Sequence, residues 1–511
     1  MSGSVPNLGC LGSRYTEPGH IAIIDLFDPD NPREVDYPSY NGACDAVARG
    51  LAARGLGPGD KVGVYCSNRL EFLEVFFGSM RAGVIPVMMG ILQPAETIAW
   101  IIDNSDVKLV YCESDLRPNL PADMPVVVID GDGEDGLSRF KDFGPFEPFA
   151  PEHDSIAFHA YTSGSTGRPK AAQLSHRAHS WVAKTISEDR DFCTADRMMV
   201  AAPLYHKHAM NSIKCVLHGG SAVVLLRKFD ARRYVEAVNR YKTTVVAGVP
   251  TIFALILQQR DLLQGRDYSF VRLATLGGAP ASDELIDQVA DLFPKAAINL
   301  VFGITETSAA LFGRHPEGNP RPRHSIGYPI AGNEFRLVGG DTADFGTLHV
   351  RGPGMMNGYV KNPGEMARRF DADGWFDTGD ILRRDAEGWY FFVGRSDDMF
   401  TSSGHNIYPA EVELVIERLE DVDQAVVVPA PDEIKHTVPY AFVVKRPGAE
   451  LSEHDIQQHV LKHAPPYQYP RKVIFLSQVP MTNVGKIDRR NLEAEARRLR
   501  SEQVEQQKAK A

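Results

Sequence analysis

Short apolar strands alternating with amphipathic helices, from about residue 40 to residue 302, predict an α/β fold with a large N-terminal domain of doubly wound sheets. Two further observations complete the expectation. After about residue 325, short β-like runs separated by Gly, Pro and Asp add a small β-rich, barrel-like subdomain. Past Arg395, a charged Gly-containing segment leads into an α/β stretch of about 110 residues, the size of a small separate domain. The expected domains are therefore 1–395, with its β-rich part at about 325–395, and 396–511.

The elements follow in order. Ala43 to Arg54 has helical spacing and stops at Gly55, Lys61 to Tyr65 is a short apolar strand, and Arg69 to Ala82 is helical. Val84 to Met89 and Val107 to Cys112 are strands. The alternation resumes with a strand over Arg197–Ala202, a helix over Ala209–Leu217 and a strand over Ser221–Leu226. A helix over Tyr234–Tyr241, a strand over Thr244–Ala247 and a helix over Ile252–Gln259 follow. Strands over Arg272–Leu276 and Ala297–Phe302 end at Gly277-Gly278 and Gly303. Glu334–Val338, Thr347–Val350 and Trp389–Val393 are the short runs of the β-rich part. Pro409 followed by acidic residues starts a helix that runs to Glu417. Gln424–Val428 and Ala441–Val444 are strands, and the polar tail from Arg497 is a frayed helix.

Composition narrows the function classes. The chain has 511 residues, 43% hydrophobic and 24% charged, as in a soluble globular protein. With 55 basic and 66 acidic residues the net charge is −11, which argues against nucleic acid or an anionic membrane as the main partner. The six cysteines contain no Cys-x-x-Cys pair, so they read as reduced thiols of a cytoplasmic protein. No signal peptide or membrane span is expected.

The chemistry-bearing stretch is Tyr161-Thr-Ser-Gly-Ser-Thr-Gly-Arg-Pro-Lys170. Gly164 and Gly167 allow a tight turn close to a ligand, and backbone N–H groups with Ser163, Ser165 and Thr166 can wrap phosphate oxygens. It is not the common nucleotide P-loop, because Arg168 and Pro169 separate the second glycine from Lys170. By composition alone a flexible connection fits equally well. Further along come Pro203-Leu-Tyr-His206, Gly277-Gly278-Ala279, Phe302-Gly-Ile-Thr-Glu-Thr307, Trp375-Phe-Asp-Thr-Gly-Asp380, Arg395-Ser-Asp397 with Ser-Gly404-His-Asn, and Pro480-Met-Thr-Asn-Val-Gly-Lys486.

This ordered set resembles the adenylate-forming superfamily: acyl-CoA synthetases, adenylation domains of peptide synthetases, and luciferase. The resemblance runs from about residue 40 to 490. It implies ATP, Mg²⁺ and coenzyme A as cosubstrates and cofactor, with a small carboxylic acid as the substrate. Thr162, Ser163, Gly164, Ser165, Thr166, Gly167 and Lys170 are then expected on the ATP phosphates. Gly277, Gly278, Ala279, Phe302 and Gly303 are expected around adenine, although most members have Tyr where Phe302 stands. Thr305 is expected on phosphate and carboxylate, and Glu306 on Mg²⁺, for which one carboxylate plus phosphate oxygens suffices. Asp380 is expected on both ribose hydroxyls and Arg395 on the ribose or phosphate, with Asp377 as a turn residue. His206 is expected to border the acyl carboxylate and the thiol tunnel.

The resemblance further makes Asp397 the hinge of a mobile C-terminal lid. Gly404 is the place where the pantetheine arm passes, and Lys486 is the cation that bridges the attacking carboxylate and the α-phosphate. It also implies two half-reactions, an acyl-AMP with release of pyrophosphate and then a thioester with release of AMP. A homodimer stays open as the assembly, and a carrier protein stays open in place of coenzyme A. A non-catalytic binding protein is disfavoured by the presence of Lys170, Glu306, Asp380 and Lys486 together.

The acid is less determined. Lys207, Asn211 and Lys214 share one face of the helix after His206, with His208 nearby. Either this face lines the acyl pocket and the acid carries a second polar or anionic group, such as a dicarboxylate, or it is a solvated helix face. No aspartate lies near residue 208, which disfavours an amino acid substrate.

Overall fold

The computed structural model describes residues 4–162, 169–402, 405–432, 436–481 and 487–510. The chain divides into two compact units. One comprises Met1–Ala279, Asp287–Phe335 and Val350–Phe376; the other comprises Pro280–Ile286, Arg336–His349 and Asp377–Ala511.

The first unit holds two seven-stranded sheets. In one, the strands lie in the order Ala297–Val301, Leu273–Gly277, Val245–Gly248, Arg197–Val200, Ala222–Leu226, Ile21–Leu26 and Arg33–Asp36. All neighbours pair in parallel except the last two strands. In the other, the order is Gly358–Tyr359, Lys170–Ser175, Ile156–Thr162, Ile85–Met88, Lys61–Tyr65, Val107–Cys112 and Val126–Val128. Parallel strands need crossovers, and the helices Leu70–Arg81 and Lys207–Gly219 are among those that supply them. Leu70–Arg81 is buried along almost its whole length, and its charged residues Glu71, Glu74 and Arg81 are ion-paired with Arg69, Lys141 and Asp45.

Several elements lie outside the expected periodicity. Ile21–Leu26 and Arg33–Asp36 precede the first expected helix. Asp25 interrupts an otherwise apolar strand, yet its buried carboxylate pairs with Arg33 and accepts from the backbone N–H of Leu70. The hairpin of Ile156–Thr162 and Lys170–Ser175 flanks the Gly-rich loop and sets Thr162 opposite Lys170. The helix His176–Asp189 starts directly after it, with Ser175 accepting from the Ala178 N–H at 3.3 Å.

In the β-rich part, the strands Tyr390–Arg395, Phe376–Arg384, Phe345–Arg351 and Glu334–Gly339 lie side by side in that order. Val422–Asp432 pairs antiparallel with His436–Lys445, which pairs in parallel with Lys472–Leu476. Val412, Ile416, Val427, Val443, Ile456 and Val460 belong to the core under this sheet. The helix Glu453–His463 carries a capping box between Ser452 and Asp455.

The centre of the first unit is aromatic. Phe76 is fully buried, with ring centroids 6.2, 5.3 and 5.4 Å from Phe72, Phe77 and Phe158. Truncating it leaves a cavity that rigid neighbours on a helix and a strand cannot close. Phe76→Ala is expected to destabilise the first unit by about 3–5 kcal/mol. The transition of that unit in urea measures it, and a loss below about 1 kcal/mol would show that the aromatic cluster collapses into the space.

Candidate active site

The sequence-based candidates in the first unit gather at the C-terminal ends of parallel strands, where α/β sheets place ligands. Leu273–Gly277 and Ala297–Val301 are neighbours, with Gly277 opposite Val301. Gly277, Gly278 and Ala279 therefore leave the sheet beside Phe302 and Gly303. Gly278 has φ +83°, a conformation that L side chains rarely adopt. A Cβ on Gly303 would stand 2.7 Å from the Ser308 carbonyl oxygen, so no larger residue fits there. The Phe302 ring meets Phe312 edge-on at 5.8 Å. A Cβ on Gly277 would come 3.5 Å from the His208 ring, so His208 points at this strand end.

His206 sits just ahead of the helix Lys207–Gly219, its ring 4.7 Å from that of Tyr205. The polar face of this helix is turned into the protein. Lys207, Asn211 and Lys214 are all buried, so the face is not solvated. The Lys207 ammonium donates to the Thr305 carbonyl oxygen. Burial, opposed by the Glu306 carboxylate, brings the Lys207 pKa down to about 7. Asn211 Oδ1 has no hydrogen-bond partner among the described residues. Lys214 turns away, with Nζ 2.6 Å from His179 Nδ1 and 4.8 Å from the Phe158 ring centre. Burial, then Lys207, holds the Lys214 pKa well below the usual lysine range. The structure thus joins Lys207 to Thr305 and separates Lys214 from both.

Glu306 and Lys170 each have a partner that the sequence did not single out. The Tyr359 hydroxyl donates to Glu306 Oε1 at 2.7 Å. Burial, then the adjacent carboxylate, raises the Tyr359 pKa. Lys170 Nζ lies 2.8 Å from Glu365 Oε1, with one-tenth of each side chain exposed. Asn362 Oδ1 caps the short helix Pro363–Arg369 by accepting from the Glu365 N–H. Asn-Pro-x-Glu signals a helix start in the sequence, but nothing there ties Glu365 to a lysine on a distant strand.

In the second unit, Asp380 and Arg395 face each other across two antiparallel strands. Arg395 Nη1 donates to Asp380 Oδ1 at 2.9 Å, and its Nε donates to Asp397 Oδ1 at 2.9 Å. Burial would lower the Arg395 pKa, but Asp380 and Asp397 outweigh it and raise it. Asp377 Oδ1 accepts from the Gly379 N–H at 2.8 Å, which is the turn role expected of it. Ser163, Gly164, Ser165, Thr166 and Gly167 of the Gly-rich loop, together with Gly404 and Lys486, lie outside the described residues.

Glu306 suits Mg²⁺ held jointly with phosphate oxygens. Among the described residues no three His, Cys, Asp or Glu side chains cluster into a closed metal cage, and Mg²⁺ does not need one. No helix of the described residues is long and apolar enough to cross a membrane.

The family model of AMP-binding enzymes matches residues 13–360, and that of the AMP-binding enzyme C-terminal domain matches residues 411–486. The 4-coumarate–CoA ligase 1 of Arabidopsis thaliana is 31% identical over 484 residues, covering 88% of this chain and 86% of the relative. The 4-coumarate–CoA ligase-like 6 of Oryza sativa subsp. japonica is 28% identical over 501 residues, covering 92% and 84%. The crystal structure of ATP-bound MatB from Rhodopseudomonas palustris superposes with a TM-score of 0.87 at 25% identity, covering 96% of this chain and 98% of that one. The chain belongs to the AMP-binding enzyme family, as an acyl-CoA synthetase of the adenylate-forming superfamily that joins a carboxylic acid to coenzyme A with ATP and Mg²⁺.

Proposed function

We propose that the acid activated by this ligase carries a second polar or anionic group close to its reacting carboxylate, as a dicarboxylic or hydroxylated acid does. The observation that carries this reading is Lys207. Its ammonium is buried and its hydrogen bond among the described residues is to the backbone of Thr305. Thr305 is assigned to the reacting carboxylate, so a group reaching Lys207 lies only a few bonds from that carboxylate. Asn211, one turn further and without a hydrogen-bond partner for Oδ1 among the described residues, offers a second polar contact.

The roles follow from the charge problem of the reaction. A carboxylate must attack the α-phosphorus of ATP, and both are anions. Lys170 and the loop from Thr162 to Gly167 hold the phosphates, and Lys486 bridges the attacking oxygen and the α-phosphate. Mg²⁺, when bound, neutralises charge on the phosphate oxygens; Glu306 is the residue that would hold it. Gly277–Ala279 and Phe302 take adenine, and Asp380 with Arg395 takes the ribose. Fixed placement of the two reactants supplies much of the acceleration. In the second half-reaction the thiol of coenzyme A attacks the acyl carbon beside His206. The thiol loses its proton and AMP leaves with the electron pair of the broken C–O bond. Asp397 is the hinge that exchanges Lys486 for the Gly404 loop between the two steps.

Three measurements test these assignments. The first is AMP formation over a panel of aliphatic, hydroxylated, dicarboxylic and aromatic acids. 4-Coumarate belongs in the panel because the plant relatives are named for it. Acid-dependent pyrophosphate release that coenzyme A does not accelerate would point to a carrier protein. If the preferred acid carries an anionic second group, Lys207 must be protonated to hold it. Its pKa of about 7 then sets the pH dependence: the kcat/KM of the acid for pyrophosphate release is level below that value and falls as pH rises through it. Lys207→Met is expected to abolish this limb and to erase the preference for the second group. A preferred acid with no second polar group would sink the reading.

The second is Lys486→Ala, which is expected to lower adenylation at least ~100-fold while sparing most ATP binding. Persistent adenylation would remove this lysine from the mechanism. The third is Tyr359→Phe, which deletes a hydrogen bond of about 1.5 kcal/mol to a charged group. The Mg²⁺ concentration for half-maximal AMP formation should rise about tenfold. An unchanged Mg²⁺ dependence would show that the phenol does not aim the Glu306 carboxylate.

A further inference from the structure

Lys170 is the first residue of the strand that returns from the Gly-rich loop, and its side chain is nine-tenths buried. A cation so far removed from water needs an anion beside it. Glu365 is that anion, and its carboxylate is shared among three cations. Oε1 accepts from Lys170 at 2.8 Å, from Arg368 Nη2 at 2.7 Å and from Arg369 Nε at 3.5 Å. Oε2 accepts from Arg368 Nε at 3.0 Å. The Arg368 hydrogen bond first, and then that of Lys170 against the effect of burial, hold the Glu365 carboxyl down at about 2.

The sharing makes Lys170 transferable. Were Lys170 the sole partner, moving it would strand a carboxylate that is nine-tenths buried, a costly state. Here Arg368 holds both oxygens in a fork and keeps the charge paired when Lys170 departs. Asn362 caps the Glu365 backbone N–H at the helix start, and the Arg368 fork holds the carboxylate.

We propose that Glu365 is the resident counter-ion of Lys170, and that the ATP phosphates take the ammonium from it on binding while Arg368 keeps the carboxylate paired. Glu365 is thus a positioning residue that acts through Lys170. It keeps the ammonium charged and in place before ATP arrives, and it competes with the phosphates for it. This inference rests on the assignment of Lys170 to the phosphates.

The test is a double-mutant cycle on the full chain, read as KM for ATP and as inhibition by pyrophosphate. Glu365→Gln is expected to lower the KM for ATP about three- to tenfold and to tighten pyrophosphate inhibition by a similar factor. Arg368→Gln, which leaves Lys170 as the stronger partner of Glu365, is expected to raise both. It keeps the test decisive if Glu365→Gln fails to fold. In a Lys170→Ala background neither change should alter the KM for ATP. An effect of equal size in that background would reduce the result to general electrostatics and overturn the proposal. So would a KM for ATP that Glu365→Gln leaves unchanged or raises. If Lys170→Ala by itself leaves the KM for ATP unchanged, the assignment of Lys170 to the phosphates fails instead.

Discussion

The constraint on which the rest of this structure depends is that charged side chains must be kept in place while largely shielded from water. Burying an unpaired charge is costly enough that the group would neutralise instead. The chain meets this with local counter-charges. Lys170 has Glu365, and Arg395 has Asp380 and Asp397. Glu306 has the Tyr359 hydroxyl, which fixes the carboxylate without adding a charge. Lys207 is the exception, with a carbonyl oxygen as its partner and a pKa close to neutrality.

The sheets determine where these groups stand. In a parallel sheet every strand ends on the same side, so loops from distant parts of the sequence converge there. Gly277–Ala279 and Phe302–Glu306 follow adjacent strands for this reason. The short strand Gly358–Tyr359 pairs with Lys170–Ser175 at the edge of the other sheet. This pairing carries Tyr359 and Glu365 in one short segment, one to Glu306 and the other to Lys170. A single stretch of chain thereby sets both a carboxylate and a cation of the site.

The same economy explains the unusual helix that begins at Lys207. A helix face bearing two lysines and an asparagine is ordinarily turned to solvent, yet this one is buried. Lys214 Nζ meets His179 Nδ1 deep under the helix, while Lys207 lies at its start next to Thr305. One face thus holds a sealed structural pair and a lysine beside the reacting end of the site. The two lysines lie about two turns apart on that face, and the difference lies in the neighbours that each position meets.

Much of the fold was legible in the sequence because period and punctuation are local. Lys61–Tyr65 and Val107–Cys112 have the bounds that their apolar runs mark, and the helix Leu70–Arg81 differs from expectation by one residue at each end. Ile21–Leu26 and the hairpin around the Gly-rich loop were not legible, since Asp25 and the loop break the pattern and only pairing with distant strands makes them strands. Of the candidate residues, the sequence marked those that carry charge, lack a side chain or follow a strand end: Lys170, Gly277, Gly278, Thr305, Glu306, Asp380 and Arg395. It could not mark Tyr359, Glu365 or His179. Their importance lies in what they touch, and sequence spacing carries no information about a partner on another element. The sequence by itself determined the family and the charged residues of the site. Only the tertiary structure decided whether the lysine face looked inward and which counter-charge met each ion, because burial and pairing are properties of the packed chain.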